Sequence, residues 1–261
     1  SPQSANVSVF YNNKKINFIF QERIAKEFLE KNHLIEGPIL KGDERFSFNF
    51  FKENKDEIAK LSTHKISNGE WAIRNTNNLN VAKKSLEILN YANYFYDSEI
   101  DEHYIVDYYG SNKRNKNIEY FSVIPVFDAL MYSLSAVHNL SKDDRRFYYD
   151  TINQLYQPIY YDGDAKILDI NNNINESFKN INNNWYFSMI GKSNNTPLND
   201  YKKHVTLSAK VGAKNAKNLI DNIDIIDLTN NINKRGVRIS ERKVLDIIDI
   251  IKNNLENIIE I

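Results

Sequence analysis

The stretch Ala136–Asp164, AVHNLSKDDRRFYYDTINQLYQPIYYDGD, decides the fold, because it sets a histidine and several carboxylates around two aromatic runs in one short segment. Arg146–Tyr149 and Tyr156–Tyr161 are rich in aromatic and β-branched residues, the composition of strands, and Asp150 to Leu155 is long enough to connect them as a hairpin. Pro158 confines the second strand to an edge or a short element, since proline donates no ladder hydrogen bond. The polar residues gather at the ends. His138, Asp143, Asp144 and Arg145 precede the first strand, and Asp162-Gly163-Asp164 follow the second. A hairpin closes those ends on each other, so Asp144 and Asp162 become neighbours in space. Two adjoining carboxylates suit a hard cation that keeps its waters and holds phosphate oxygens, typically magnesium. Carboxylates about 4 to 6 Å apart fit one shared ion, given metal–oxygen bonds near 2.1 Å.

The same residues have a plainer reading. Asp-Gly commonly ends a strand, and an Asp-Asp-Arg-Arg run is commonly a solvated loop with surface ion pairs of little energetic weight. A calcium loop beginning at Asp162 is excluded. Lys166 and Ile167 occupy its third ligand and glycine positions, and Asn173 stands where a bidentate glutamate is required.

Working outward, 261 residues of which 41% are hydrophobic can bury a substantial core, as one large domain or two lobes. Lys plus Arg and Asp plus Glu balance at 34 each, which disfavours a nucleic-acid partner because no basic footprint exists. With no cysteine, disulfides, thiolate metal sites and cysteine nucleophiles are excluded together, and cytoplasmic and cell-surface locations both remain compatible. No apolar run approaches the roughly 18 to 20 residues of a membrane span, and no signal peptide opens the chain. Asn171–Asn173 and Asn182–Asn184 read as loop sequence shaped by biased composition.

Val7–Tyr11 and Lys15–Phe20 alternate around Asn12-Asn13, a pair that tolerates positive φ, and predict a β-hairpin. Glu22 to Lys31 turns helical, with Ile24, Ala25, Phe28 and Leu29 on one face. Gly37-Pro38 stops it, and Ile39-Leu40-Lys41 followed by Phe46 to Phe51 reads as strand or extended chain. Helices are expected over Val81–Tyr96, with Leu86, Leu89, Tyr91 and Ala92 apolar, and over Phe121–Val137, opened near Ser122 with Pro125 in its first turn. Further helices are expected near Leu198–Ala209, Ala213–Ile223 and Ser240–Ile259. In the last, Ser240 is an N-cap and Val244, Ile247, Ile248 and Ile251 form an apolar stripe, core rather than partner surface. The class is α+β, a small β-rich start followed by a mainly helical body interrupted by one hairpin.

Two blocks resemble the CotH-like atypical kinases, a family named for a spore-coat protein kinase. The first is Val7 to Glu44, VSVFYNNKKINFIFQERIAKEFLEKN…EGPILKGDE, similar to the family's strand, turn, strand, short helix and Gly-x-(I/L)-x-K segment. The second is the opening stretch, with His138-Asn139-Leu140, Asp144-Arg145, the aromatic strand and Pro158-Ile159-Tyr160-Tyr161-Asp162. Together they cover about a third of the chain, in the order and separation of the family. The resemblance implies a protein-kinase-like fold. A partial N-terminal lobe with the inter-lobe segment occupies 1–51, and a mainly helical lobe occupies 52–261 and carries the catalytic and metal segment 136–164.

The resemblance also implies roles. Asp162 falls where the family holds magnesium on nucleotide phosphates, with Asp164 beside it, and Asp144 falls near the family's catalytic-loop amide or acid, a second metal ligand, so that either His138 or Asp144 orients the acceptor hydroxyl. His138 lies where many members carry a catalytic aspartate. It is either a base for the acceptor hydroxyl, as imidazole chemistry near neutral pH allows, or a buried histidine that fixes the loop. Arg145 offers charge to phosphate. Gln21 and Glu22 are expected near the adenine or ribose, or else are polar residues at a helix start. Lys41 approaches phosphate or is solvated. A kinase also needs a loop and a strand lysine over the phosphates. Nothing before Val7 supplies them, so the chain is expected to be a fragment lacking the start of the N-terminal lobe, or a degenerate member.

The activity expected is transfer of the ATP γ-phosphoryl group, with Mg2+ or Mn2+, to a protein hydroxyl or a surface-glycan precursor. The alternatives are a non-catalytic pseudokinase acting in assembly of a coat or envelope, and a metal-dependent hydrolase using the same carboxylates.

Overall fold

A computed structural model describes residues 2–43, 64–94, 123–140, 144–165, 167 and 198–260. The fold is α+β, with small antiparallel sheets packed on helices. The first hairpin pairs β1 (Ser4–Tyr11) with β2 (Lys14–Gln21), each longer than its sequence pattern indicated. Asn12 and Asn13 turn it at φ 48° and 58°, the left-handed geometry a two-residue hairpin turn demands. The helix expected from Glu22 starts only at α1 (Lys26–Lys31). Ala25 before it is extended and offers no side-chain cap, although Ile24, Phe28 and Leu29 are buried as the spacing predicted.

Four strands form the sheet that carries the site. They are β3 (Ile39–Gly42), β4 (His64–Ile66), β5 (Arg146–Asp150) and β6 (Leu155–Ile159), in the order β4-β3-β5-β6 and antiparallel throughout. Pro158 lies on β6, an edge strand, where its missing N–H leaves no ladder position empty. The sheet joins β3, from the first 51 residues, to strands drawn from the rest of the chain.

The helices are α2 (Gly69–Ala72), α3 (Thr76–Tyr94), α4 (Val123–Ser133), α5 (Leu198–Asp221), α6 (Ile225–Lys234) and α7 (Glu241–Glu260). The two helices expected on either side of Gly212 are one, α5, and Gly212 is where it crosses α4. A Cβ there would stand 2.3 Å from the Pro125 carbonyl oxygen. No pattern singled out α6, which is capped by the Asp224 side chain accepting from the Asp227 N–H at 3.0 Å. Ser240 caps α7 by accepting from the Lys243 N–H at 3.3 Å. Phe46–Phe51, Phe95, Tyr96, Phe121, Ser122, Asp143, Lys166 and the two Asn runs lie outside the described residues, as do the side chains of Tyr91 and Ala92.

The sheet is covered on both faces. On one, Leu40, Phe147, Tyr149 and Tyr156 pack with Leu89 of α3, Ile124 of α4 and the Val244, Ile248, Ile251 and Leu255 stripe of α7, which is therefore core. On the other, Ile39, Tyr148 and Ile159 meet Ile24, Phe28 and Leu29. Two phenols lock these layers, Tyr156 Oη donating to the Ser85 carbonyl at 2.7 Å and Tyr148 Oη to the Ile35 carbonyl at 2.8 Å.

Candidate functional site

The site is built at the open end of the β5–β6 hairpin. The ladder pairs Arg146 with Ile159, so the residues preceding β5 and following β6 are delivered to the same place. A short 3-10 turn, Val137–Leu140, follows α4 and brings His138 there too. The ligand atoms of His138, Asp144 and Asp162 lie within 4.8 Å of one another, and His138 Nε2 is 3.2 Å from Asp144 Oδ2. Asp144 is buried, whereas His138 and Asp162 are exposed.

Local chemistry holds the loops. Asp162 and Asp164 adopt φ of 46° and 45°, left-handed backbone that Asp tolerates better than bulkier residues. Between them, a Cβ on Gly163 would meet the Tyr160 ring at 2.6 Å, so a larger residue would displace that ring. Burial raises the Tyr160 phenol above its ordinary pKa. The Gly163 N–H opposes this, and the Asp162 and Asp164 charges add to it. Asn139, fully buried, donates Nδ2 to the Tyr161 carbonyl at 2.7 Å and ties the 3-10 turn to the residue before Asp162. Its Oδ1 has no hydrogen-bond partner among the described residues.

One imidazole and two carboxylates within 4.8 Å are a donor set that fits a divalent cation. Asp164 does not join the three. Arg145 does not either, which corrects its expected place beside a phosphate. Its side chain is buried, with Nε donating to the Leu140 carbonyl at 3.0 Å and Nη2 to Asp128 Oδ2 at 3.0 Å. The physical reason is charge compensation. Asp128 is buried on α4, and burial pushes its carboxyl above the ordinary range while the Arg145 guanidinium pulls it back down. Arg145 thus works inside the fold, tying the end of the His138 turn to α4.

The other three expected residues, Gln21, Glu22 and Lys41, line one cavity of about 580 Å³, within the size range of small-molecule sites. The cavity also draws in Ser67, Asn68, Trp71, Arg74, Arg146 and Tyr161, none of which the sequence had marked as site residues. Asn68 shapes one wall by donating to the Gly37 carbonyl at 2.9 Å and accepting from the Ile39 N–H at 2.8 Å. Arg74 holds Glu36 through two contacts of 2.8 Å. At the other end, Arg146 and Tyr161 are two residues from Asp144 and one from Asp162 along the chain, while His138, Asp144 and Asp162 are not themselves among the residues lining the cavity. The chain matches no protein-family model, no curated protein and no solved structure. The site therefore stands on its own geometry. Alternation along the chain implies that only one of the adjacent Arg145 and Arg146 can face the core, but not which of the two.

Proposed function

We propose that the chain is a CotH-like, protein-kinase-like phosphotransferase that moves the γ-phosphoryl group of ATP to a protein hydroxyl or a surface-glycan precursor. The observation that carries this is the gathering of His138, Asp144 and Asp162 at the open end of the β5–β6 hairpin, together with a cavity of about 580 Å³ lined by Gln21, Glu22 and Lys41 and by Arg146 and Tyr161, close along the chain to the two carboxylates. Phosphoryl transfer asks the protein for position and charge compensation more than for covalent chemistry. A cavity and a cluster of metal-ligating side chains would together answer that demand.

Asp144 and Asp162 are the residues that would hold Mg2+ or Mn2+, because hard cations prefer oxygen ligands. Bound there, the cation supplies charge neutralisation on phosphate oxygens. His138, half exposed and 3.2 Å from Asp144, accepts the proton of the acceptor hydroxyl. The hydroxyl oxygen forms the new bond to the γ-phosphorus as the bond from that phosphorus to the oxygen bridging to the β-phosphate breaks, and ADP leaves.

A thermal-shift titration with ATP and magnesium, joined to a transfer assay, tests this. The expected result is a magnesium-dependent rise in the unfolding midpoint and labelled acceptor, both lost in Asp162→Asn. Nucleotide binding without transfer points to the pseudokinase and assembly role, and phosphate release without an acceptor points to a hydrolase. Binding and transfer untouched by Asp162→Asn would remove the metal assignment.

A further inference from the structure

Charge balances over the whole chain but not locally. Between Leu228 and Leu245 lie Lys234, Arg235, Arg238, Arg242 and Lys243 against a single carboxylate, Glu241. All five cations are exposed, and none of them forms an ion pair with another described residue. They occupy the end of α6, the start of α7 and the turn between, where Val237 is exposed as well. The β1–β2 hairpin has the same sign. From Ser4 to Gln21 its charges are Lys14 and Lys15, both at the tip, and it carries no carboxylate.

The hairpin is amphipathic. Register places Val7, Val9 and Tyr11 of β1 on one face with Ile16, Phe18 and Phe20 of β2, and all six are exposed. The opposite face is mostly polar, with Ser8 Oγ donating to Asn17 Oδ1 at 2.8 Å, although Phe10 and Ile19 also stand on it. Large apolar side chains gathered on one surface mark an interaction site, unlike the single ones scattered over any soluble protein.

The basic turn and the apolar face are side by side. The Glu22 N–H donates to the Gln3 carbonyl, so alternate residues of β1 counted from Gln3 direct their backbone groups at β2, and those of Asn6 point out from the other edge. The α6–α7 turn lies at that edge, where a Cβ on Gly236 would stand 3.4 Å from the Asn6 carbonyl oxygen. The apolar face is thus flanked by cations along one edge and at the tip.

We propose that the β1–β2 hairpin and the α6–α7 turn form a docking surface for an anionic lipid bilayer. The apolar face enters the boundary between headgroups and acyl chains, and the lysines and arginines meet the anionic headgroups. Tyr11, an apolar ring with a polar tip, suits that boundary. An apolar plate or a basic cluster alone holds a protein weakly on a bilayer, whereas the two together hold it stably. The contact is peripheral, since no helix among the described residues is long and apolar enough to cross a membrane. A second copy fits this surface less well, because it would set the same cations against themselves with no carboxylate on the hairpin to answer them. Nucleic acid would answer the charge and leave Val7, Val9 and Ile16 without an apolar partner. The surface is independent of the chemistry assigned to His138, Asp144 and Asp162.

Co-sedimentation of the full chain with vesicles tests this, comparing phosphatidylcholine alone with phosphatidylcholine containing roughly a third phosphatidylserine. Binding is expected to the anionic vesicles, to be weaker by about tenfold or more on the neutral ones, and to fall as salt rises. Arg235→Gln with Arg238→Gln should weaken it about twentyfold, roughly fivefold per cation. Val9→Ser with Phe18→Ser should weaken it by about tenfold or more. Because the chain has no cysteine, Val9→Cys gives a single labelling position, and an environment-sensitive fluorophore there should shift to the blue on anionic vesicles. That readout holds should the serine variant fail to fold. No binding to either vesicle, equal affinity for both, or a label that stays in water while the chain is bound overturns the proposal. So does a single-stranded oligonucleotide that binds more tightly than the anionic vesicles through the same arginines, or a dimer in sedimentation velocity that Val9→Ser with Phe18→Ser dissolves.

Discussion

The β1–β2 and β5–β6 hairpins are both rich in aromatic and β-branched residues and meet opposite fates. The first alternates apolar and polar residues along much of its length, whereas β5 carries the unbroken aromatic run Phe147-Tyr148-Tyr149. In β5–β6, Phe147, Tyr148 and Tyr156 are 0%, 1% and 1% exposed. In β1–β2 the apolar face of Val7, Val9, Ile16 and Phe18 is 39–50% exposed, and Phe20 is 67% exposed. Alternation states which residues share a face. Whether that face is covered depends on elements remote in the chain, here α3, α4 and α7 on one side of β5 and α1 on the other. Both hairpins serve the site from one end. The first ends in Gln21 at the cavity, and the second opens at Asp144 and Asp162.

The largest expected effect separates the two directly. Phe147→Ala should destabilise the protein by about 3 to 5 kcal/mol, the usual cost of emptying an aromatic site in a core. Phe18→Ala on the first hairpin should cost less than about 1 kcal/mol. Urea denaturation measures both, and equal losses would break the comparison. Next is the ion pair behind the second hairpin. Arg145→Ala leaves the Asp128 carboxylate buried without its partner and should cost on the order of 3 kcal/mol. The pair replacement Arg145→Met with Asp128→Leu should recover most of that loss, because burying two charges is itself unfavourable. Recovery of stability without recovery of cation affinity would show that the pair also positions the His138 turn.

A smaller effect belongs to the hairpin's open end. Asp162→Asn should lower Mn2+ affinity by roughly tenfold to a hundredfold, judged by the scale of losses at metal sites, with little change in the unfolding midpoint. Electron paramagnetic titration reads this.

The smallest lies at the hairpin's turn. Burial alone would raise the Asp150 carboxyl, but hydrogen bonds from the Asn153 side chain and from the Asn153 and Ile152 N–H groups outweigh it and hold the pKa below the ordinary value. A depressed carboxyl contributes stability that is fully present above its unfolded pKa, near about 4, and is lost as pH falls through the folded value. Since Asp150 is largely solvated, Asn153→Ala should remove well under about 1 kcal/mol near neutral pH, and the difference between the proteins should vanish in strong acid. Turn and Asp150 would be uncoupled if the two stability–pH curves ran parallel throughout.

Much of the fold was legible because its signals are local. The Asn12-Asn13 turn, the aromatic strands, the edge position of Pro158 and the α7 stripe each follow from steric preference or periodicity. Two helices were expected where one runs, and Gly212 between them is the close crossing of α5 on α4. The start of α1 was misplaced as well. Ile24 is buried in extended chain and so contributes to the apolar face without belonging to the helix. In the site, the meeting of Asp144 and Asp162 followed from hairpin closure, whereas the arrival of His138 depends on the 3-10 turn after α4 and the role of Arg145 on its burial against Asp128.

By itself, the sequence determined the types of element, the faces they present and the carboxylates at the mouth of one hairpin, since backbone periodicity and turn chemistry act between residues close along the chain. Tertiary structure alone decided that Arg145 turns inward to Asp128 while Arg146 turns to the cavity, and that Gln21, Lys41, Trp71 and Tyr161 meet around one space. Those outcomes depend on which face of each strand a distant helix covers, and no local preference encodes that choice.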